Sequence, residues 1–267
     1  MVAAASGYVV CVRSASMASL RRIIGRTAAF PRFVMDLARF ATLSRSEGMD
    51  MRLRVRAQLS DRSADAGTLR GAYFHQDLLV AQRIFEAAPK RHIDVGSRID
   101  GFVAHVASFR AIEIVDIRPC DSPIPNIRTM RADMMDSRSV PEGICDSVSC
   151  LHALEHFGLG RYGDPIDPRG HEKGLDSLVR MLEPGGTLYL SVPVGPERVF
   201  FNCHRRFDAR TILRLTDVRL VLRRLDVVDD RGNLRRHVPP EEATRDGALG
   251  CRREGCAIFE FTKPRAP

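Results

Sequence analysis

The stretch Arg91-His-Ile-Asp-Val-Gly-Ser-Arg-Ile-Asp-Gly-Phe-Val-Ala-His-Val-Ala-Ser-Phe-Arg-Ala-Ile-Glu-Ile-Val-Asp116 reads as strand, turn, helix and strand. His92 to Val95 is a short buried run, and Phe102, Val103, Val106 and Phe109 recur on one helix face after Gly101. Ile112 to Asp116 is the next strand. Strands joined by a helical crossover lie parallel, because a tight hairpin joins only antiparallel ones.

The same order continues outward. A helix from Phe74 to Ala88, with Leu78, Ala81, Ile84, Phe85 and Ala88 on its apolar face, ends at Pro89. A weaker strand, Ile127 to Arg131, precedes Asp133, and Ser147 to Leu151 gives another. A helix from His171 to Leu182 presents Leu175, Leu178, Val179 and Leu182, and Pro184-Gly-Gly186 turns it into the strand Thr187 to Val192. Such alternation predicts a parallel sheet with helices on both faces. Val218 to Val228 and Ala257 to Thr262 read as strands separated by a polar loop, Asp229 to Gly255, so these two pair antiparallel. The expected architecture is an α/β, Rossmann-like domain over residues 71–267, its seven-stranded, mostly parallel sheet carrying a terminal antiparallel strand.

Residues 1–70 read as a basic extension and linker. Arg13, Arg21, Arg22, Arg26 and Arg32 all precede the first acid, Asp36. A transit peptide shares that bias, but Leu20, Ile23, Ile24, Phe30, Phe33, Val34 and Leu37 recur at helical spacing, which favours a basic amphipathic helix broken at Pro31. Residues before Met17 read as a leader, and Leu43 to Gly71 as a linker. The helix would suit peripheral contact with an anionic membrane surface. No apolar run is long enough to span a bilayer. The net charge of +8 is spread along the chain instead of forming one block, so no nucleic acid partner is expected. Seven cysteines, several inside apolar runs, suit a reducing, cytoplasmic setting. Cys251 and Cys256 have the wrong spacing for a zinc knuckle.

In doubly wound sheets the ligand lies across the carboxyl ends of the strands. Asp94, Gly96, Ser97, Arg98 and Gly101 occupy that joint. Gly96 allows a tight turn and close backbone approach, and free amides at the helix start can meet a carboxylate. A strand–glycine–helix joint also serves as a plain connector. Asp116 follows Gly96 by twenty residues, the offset at which an acid reaches ribose hydroxyls. Asp133, after the third strand, sits where an acid faces an adenine amino group, or is simply a loop acid.

Asp94 to Gly96, Asp116, Asp133, Leu154-Glu-His156 and Leu182-Glu-Pro-Gly-Gly-Thr-Leu-Tyr-Leu-Ser-Val-Pro193 together resemble a class I S-adenosylmethionine-dependent methyltransferase. An antiparallel strand inserted near the end of the sheet separates that type from dehydrogenase-type domains. More closely, Tyr73-Phe-His-Gln-Asp77, His92 to Gly101, Ser149 to Asp164 and Phe201-Asn-Cys-His-Arg-Arg-Phe207 resemble the bacterial-type family catalogued as domain of unknown function 268, over roughly Gly71 to Arg236. The resemblance implies S-adenosylmethionine as cofactor and a methyl acceptor. One position departs: Arg98 stands where the middle glycine of the loop is usual, and it either pairs with the cofactor carboxylate or fills its pocket.

The segment from Glu155 to His171 holds Gly158, Gly160, Gly163, Pro165 and Pro168 and reads as a loop over the cofactor, a lid or an acceptor wall, carrying Arg161, Tyr162, Asp164 and Asp167. A small-molecule or glycan hydroxyl acceptor needs a base, and the candidates are His156 and His204 with Glu155 beside them, then His152. A histidine there also commonly just bonds the backbone. Arg205 and Arg206 are candidates for an acceptor phosphate or carboxylate, and Asp208 for a helix N-cap. Asp164, Asp167 and Glu172 form a possible Mg²⁺ cluster, although no metal site is expected. A non-catalytic scaffold of the same fold is the rival reading. A nicotinamide-dependent enzyme is disfavoured by the Pro184-Gly-Gly turn and the final antiparallel pair.

Overall fold

The computed structural model describes residues 17–49, 52–60, 62, 66–118 and 121–265. The leader before Met17, Cys11 and Cys120 lie outside them. The chain divides into two units, 1–68 and 69–267.

The first unit contains α1 (Met17–Ser46), which runs through Pro31 instead of breaking there. Proline's fixed φ is itself helical, so one hydrogen bond is lost and the helix continues. It also extends past Leu43, where a linker was expected. Thr42, Ser44 and Ser46 turn their hydroxyls back onto the carbonyls of Ala38, Phe40 and Leu43. Among the described residues no helix is long and apolar enough to cross a membrane.

The second unit opens with α2 (Ala72–Ala87), followed by β1 (His92–Val95). A π-helical turn, Ile99–Val103, leads into α3 (Ala104–Ala107) and then β2 (Ile112–Asp116), β3 (Ile127–Arg131) and β4 (Cys145–Leu151). After α4 (Gly170–Met181) come β5 (Leu182–Val194) and a hairpin of β6 (Arg198–Phe200) and β7 (His204–Arg206). The chain closes with α5 (Ala209–Thr216), β8 (Val221–Val228), β9 (Leu234–Arg235), α6 (Pro240–Arg245) and β10 (Gly255–Thr262).

The main sheet has the order β3-β2-β1-β4-β5-β10-β8-β9. Its first five strands are parallel, and β10 runs antiparallel between β5 and β8. This is the methyltransferase-type Rossmann arrangement, with eight strands among the described residues where seven were expected. The extra strand is β9, which folds back on Val227 and Val228. The Asp229 carboxylate accepts from the amides of Arg231 and Asn233, and Gly232 turns at φ +79°, closing a hairpin inside the predicted loop.

Two apolar clusters fill the faces of the sheet. Leu79, Val80, Ile84, Phe102, Val103 and Val106 cover one with α2 and α3, and Leu175, Leu178, Ala209 and Ile212 cover the other with α4 and α5. The buried face of α2 keeps Ala81 and Ile84 of the expected set but not Leu78, Phe85 or Ala88. Leu78 is 38% and Phe85 66% exposed, and Phe85 packs edge-on against the partly exposed Phe109. The inward positions carry Gln76, Asp77 and Arg83, because each has a partner there: Arg83 Nη2 bonds Asp226 at 2.6 Å, and Gln76 accepts from Ser191 Oγ at 2.6 Å.

Candidate functional site

A cavity of about 950 Å³, at the upper end of the range for small-molecule sites, opens along the carboxyl ends of β1, β2, β3 and β4. Its wall brings together Gly96, Ser97, Arg98, Asp116, Asp133, Glu155, His156 and His204 among the predicted residues. Asp94 and Gly101 do not line it.

Asp94 instead lies beneath the loop, fully buried, where its carboxylate accepts from the Ser97 amide at 3.1 Å, Ser97 Oγ at 2.6 Å and Ser149 Oγ at 2.5 Å. Burial pushes its carboxyl up to about 6, against the pull of those hydrogen bonds. Ser97 Oγ in turn accepts from the Leu151 amide at 3.1 Å, which ties the loop after β1 to the end of β4. Gly96 turns at φ +68°, and a Cβ there would meet the Ala153 Cβ at 3.0 Å. Gly101 allows the π-turn to approach α2, since a Cβ would lie 2.5 Å from Asp77 Oδ2.

Arg98 lies over the Tyr73 ring at 4.9 Å and pairs with Asp100 at 3.1 Å, so the bulky cation stands at the cavity wall. At the end of β2, Asp116 is held by Arg118 at 2.7 Å, and that guanidinium also covers the Tyr162 ring at 4.4 Å. Asp133 accepts from the Met135 amide at 2.8 Å and stays at the wall. Asp116 and Asp133 thus stand at the ends of two neighbouring strands on one wall of the cavity.

The far half of the cavity holds the histidines. His152, at φ +51°, packs its ring against Tyr73, and its Nδ1 lies 2.9 Å from Glu155 Oε1. Burial disfavours its charged form, but contact with Cys256 and Glu155 outweighs this and holds it well above the ordinary imidazole value. His156 Nδ1 donates to the Cys203 carbonyl at 2.6 Å, and its Nε2 lies 3.8 Å from Glu155 Oε1. Burial pulls this imidazole down despite the nearby carboxylate. His204 bonds Glu254 Oε2 through Nε2 at 2.9 Å, and its ring centre is 6.5 Å from that of His156.

The loop from Phe157 to Arg169 adds Phe157, Arg161, Tyr162 and Asp164 to this wall. Asp164 knits it by accepting from the amides of Gly158, Gly160 and Tyr162, and Tyr162 meets the His156 ring edge-on at 5.3 Å. Arg205 was a candidate acceptor ligand, but it is buried and spends its guanidinium on the carbonyls of Phe157 and Pro168, pinning the loop from below. Arg206 bonds the carbonyls of Pro196 and Arg253. Neither lines the cavity. Asp208 caps α5 by accepting from the Arg210 amide. Of the three acids weighed for Mg²⁺, Asp164 serves the loop, Asp167 pairs with Lys173, and Glu172 pairs with Arg169. No group able to hold a metal ion occurs among the described residues.

Tyr73, Arg118 and Glu254 also line the cavity, and none of them is among the expected site residues. Tyr73 stands inside a quoted motif, and Arg118 follows Asp116 by two residues, so both had a local signal. Glu254 sits in an aperiodic loop and had none.

Comparison with known proteins matches residues 126–217 to a family model described as Caenorhabditis protein of unknown function, DUF268. That span includes the Ser149–Asp164 and Phe201–Phe207 motifs but not Tyr73–Asp77 or His92–Gly101, so it is narrower than the resemblance read from the sequence. No curated protein matches the chain. Among solved structures, the [4+2]-cyclase SpnF superposes with a TM-score of 0.54 at 17% identity, over 75% of this chain and 86% of its own. The N-methyltransferase NodS from Bradyrhizobium japonicum WM9, in complex with S-adenosyl-L-homocysteine, gives 0.48 at 12%, over 72% and 88%. The 1,6-didemethyltoxoflavin-N1-methyltransferase of Burkholderia thailandensis gives 0.48 at 14%, over 96% and 93%. At 17% identity the likeness to SpnF is one of fold. Residues 126–217 therefore carry the DUF268 pattern, set within a domain of class I methyltransferase-type Rossmann fold.

Proposed function

We propose that this chain is an S-adenosylmethionine-dependent methyltransferase acting on a hydroxyl of a small molecule or glycan. The observation that carries the reading is the single cavity in which Gly96, Asp116 and Asp133 meet His156 and His204. The donor set fits the cofactor: Asp116 suits the ribose hydroxyls, Asp133 the adenine amino group, and the Ser97–Arg98 corner the carboxylate. When bound, the cofactor supplies a methyl group activated on a sulfonium sulfur.

The chain's own part is to orient the acceptor and take its proton. With Nδ1–H committed to the Cys203 carbonyl, the neutral His156 ring has its lone pair on Nε2, the tautomer a general base requires. The proton gained at Nε2 faces Glu155 Oε1 at 3.8 Å, which favours the resulting imidazolium. The loop carrying Tyr162 covers the site and limits water.

A non-catalytic scaffold is the second reading, favoured by Arg118, which already satisfies Asp116 through three hydrogen bonds, one from its backbone amide and two from its guanidinium. A thermal melt in S-adenosylhomocysteine separates the two. A ligand that binds only the folded state raises the melting temperature by mass action, so a dose-dependent rise supports the methyltransferase and its absence supports the scaffold. The free cysteines Cys145, Cys150, Cys203, Cys251 and Cys256 support a cytoplasmic setting, and the basic residues of α1 support contact with anionic lipid.

A further inference from the structure

We infer that the acceptor carries a protonated amine beside its reacting hydroxyl, and that Glu155 is the residue that holds the ammonium. This rests on the methyltransferase reading of the same cavity.

Two independent observations point to it. The first is Glu155 itself, which is 2% exposed and lines the cavity. Its Oε1 takes the His152 ring, whereas its Oε2 is buried with no hydrogen-bond partner. A carboxylate oxygen without a donor in a low-dielectric wall is costly, and a donor arriving from the cavity removes that cost.

The second is the charge of the half to which Glu155 belongs. Although the chain carries +8, the wall between the ends of β4 and β8 and the start of β10 gathers Glu155, Asp164, Asp229, Asp230 and Glu254 against the guanidinium of Arg161 and the imidazole of His152, which leaves acids in excess. Arg161 is turned to the Cys203 carbonyl and the Tyr162 ring. The other two arginines at the wall pair with Asp100 and Asp116. Clefts lined by one sign of charge concentrate the opposite sign, so a cation is the ligand this half recruits. An ammonium brings three donors and a full charge, whereas a neutral hydroxyl brings one donor and leaves the excess of carboxylates uncompensated.

The spacing then selects the acceptor class. His156 Nε2 lies 3.8 Å from Oε1 of the same carboxylate whose Oε2 is unpartnered, so a group on Oε2 and a group on His156 are neighbours. Substituents on adjacent carbons meet that requirement, as in a vicinal amino alcohol or a 2-amino sugar. During transfer the hydroxyl proton passes to His156 Nε2. The oxygen bonds the methyl carbon, and the carbon–sulfur bond breaks with its electron pair going to sulfur, which leaves a thioether. The ammonium keeps its protons throughout.

The test is saturation-transfer NMR on the full chain with 2-aminoethanol and ethylene glycol, each with and without saturating S-adenosylhomocysteine. The expected result is contact with 2-aminoethanol and not with ethylene glycol. Glu155→Gln, nearly isosteric, should weaken 2-aminoethanol by about tenfold or more while S-adenosylhomocysteine affinity holds. Glu254→Gln, at a half-exposed position, tests the charge argument without threatening the fold and should weaken it less. Equal contact by both probes, contact by neither, or a Glu155→Gln protein that still discriminates would overturn the proposal. A chain that takes 2-aminoethanol but no S-adenosylhomocysteine keeps the ammonium subsite and loses the methyltransferase reading instead.

Discussion

The Nδ1 of His156 donates to the carbonyl of Cys203 across 2.6 Å, a bond between the end of β4 and the tip of the β6–β7 hairpin that fixes which nitrogen can accept a proton. Replacing His156 with glutamine should cost about 10²–10⁴ in turnover, the usual range for a lost general base, with cofactor affinity unchanged. His204 is bound to Glu254 and its replacement should cost less. Because burial lowers the His156 imidazole, the base stays neutral below the ordinary imidazole range. The acid limb of the rate profile should therefore fall below pH 6.5, about the ordinary value. A limb at or above that value, or turnover within tenfold in the glutamine variant, would assign His156 to structure.

Asp116 is predicted to bind the ribose. Asp116→Ala should weaken S-adenosylhomocysteine by about 1.5–3 kcal/mol, the range for hydrogen bonds to a charged group. Since Arg118 holds that carboxylate at 2.7 Å, part of the binding energy goes into loosening the pair, and the measured loss should fall toward the lower end. Unchanged affinity in a folded variant would remove Asp116 from the site.

His92 and Asp94 give stability a pH signature of known sign. Burial lowers the His92 imidazole to about 3, against a free value of 6.5. Between those values the unfolded chain binds a proton that the folded chain does not, so the His92 contribution is fully present above pH 6.5 and is lost as pH falls toward 3. Asp94, raised to about 6, acts in the opposite sense: it favours the folded state at low pH, and that contribution fades as pH rises from 3.8 toward 6. His92→Asn removes only the first effect. Relative to the unaltered chain, the variant should gain about 1.4 kcal/mol for each pH unit lowered within the His92 window. Parallel curves in denaturant unfolding across that window would show that His92 is not buried neutral.

Gly158 holds the covering loop open to its own fold. It turns at φ +79°, and a Cβ would collide with the Asp167 carbonyl. Gly158→Ala should destabilise by about 1–3 kcal/mol from backbone conformation alone, and should raise the acceptor KM through the displaced loop. A variant with wild-type melting temperature would contradict the loop geometry.

The alternation of strands and helices was legible because period-2 and period-3.6 patterns report directly which side chains are buried. It predicted β1, β2, β3 and β4 and the inserted β10. On α2 the expectation held for Ala81 and Ile84 and failed for Leu78 and Phe85, because Arg83, Asp77 and Gln76 are polar yet buried, and a periodic pattern assigns a charge to solvent unless its partner is known. Asp226, the partner of Arg83, is 143 residues away. Pro31 was read as a break where the helix continues, and Arg205 as a ligand where it is an internal tie. In each case the deciding contact is tertiary. The cofactor half of the site follows strand ends and could be located by offset, as with Gly96 and Asp116. Glu254 joins the acceptor half from a loop with no period, and only the folded chain brings it to His204.

Whether the cavity holds S-adenosylmethionine is read by isothermal titration of the full chain with S-adenosylhomocysteine. Saturable one-to-one binding in the micromolar range, about −8 kcal/mol, is the predicted result. An absence of saturable heat at millimolar ligand, with the chain folded, would contradict it.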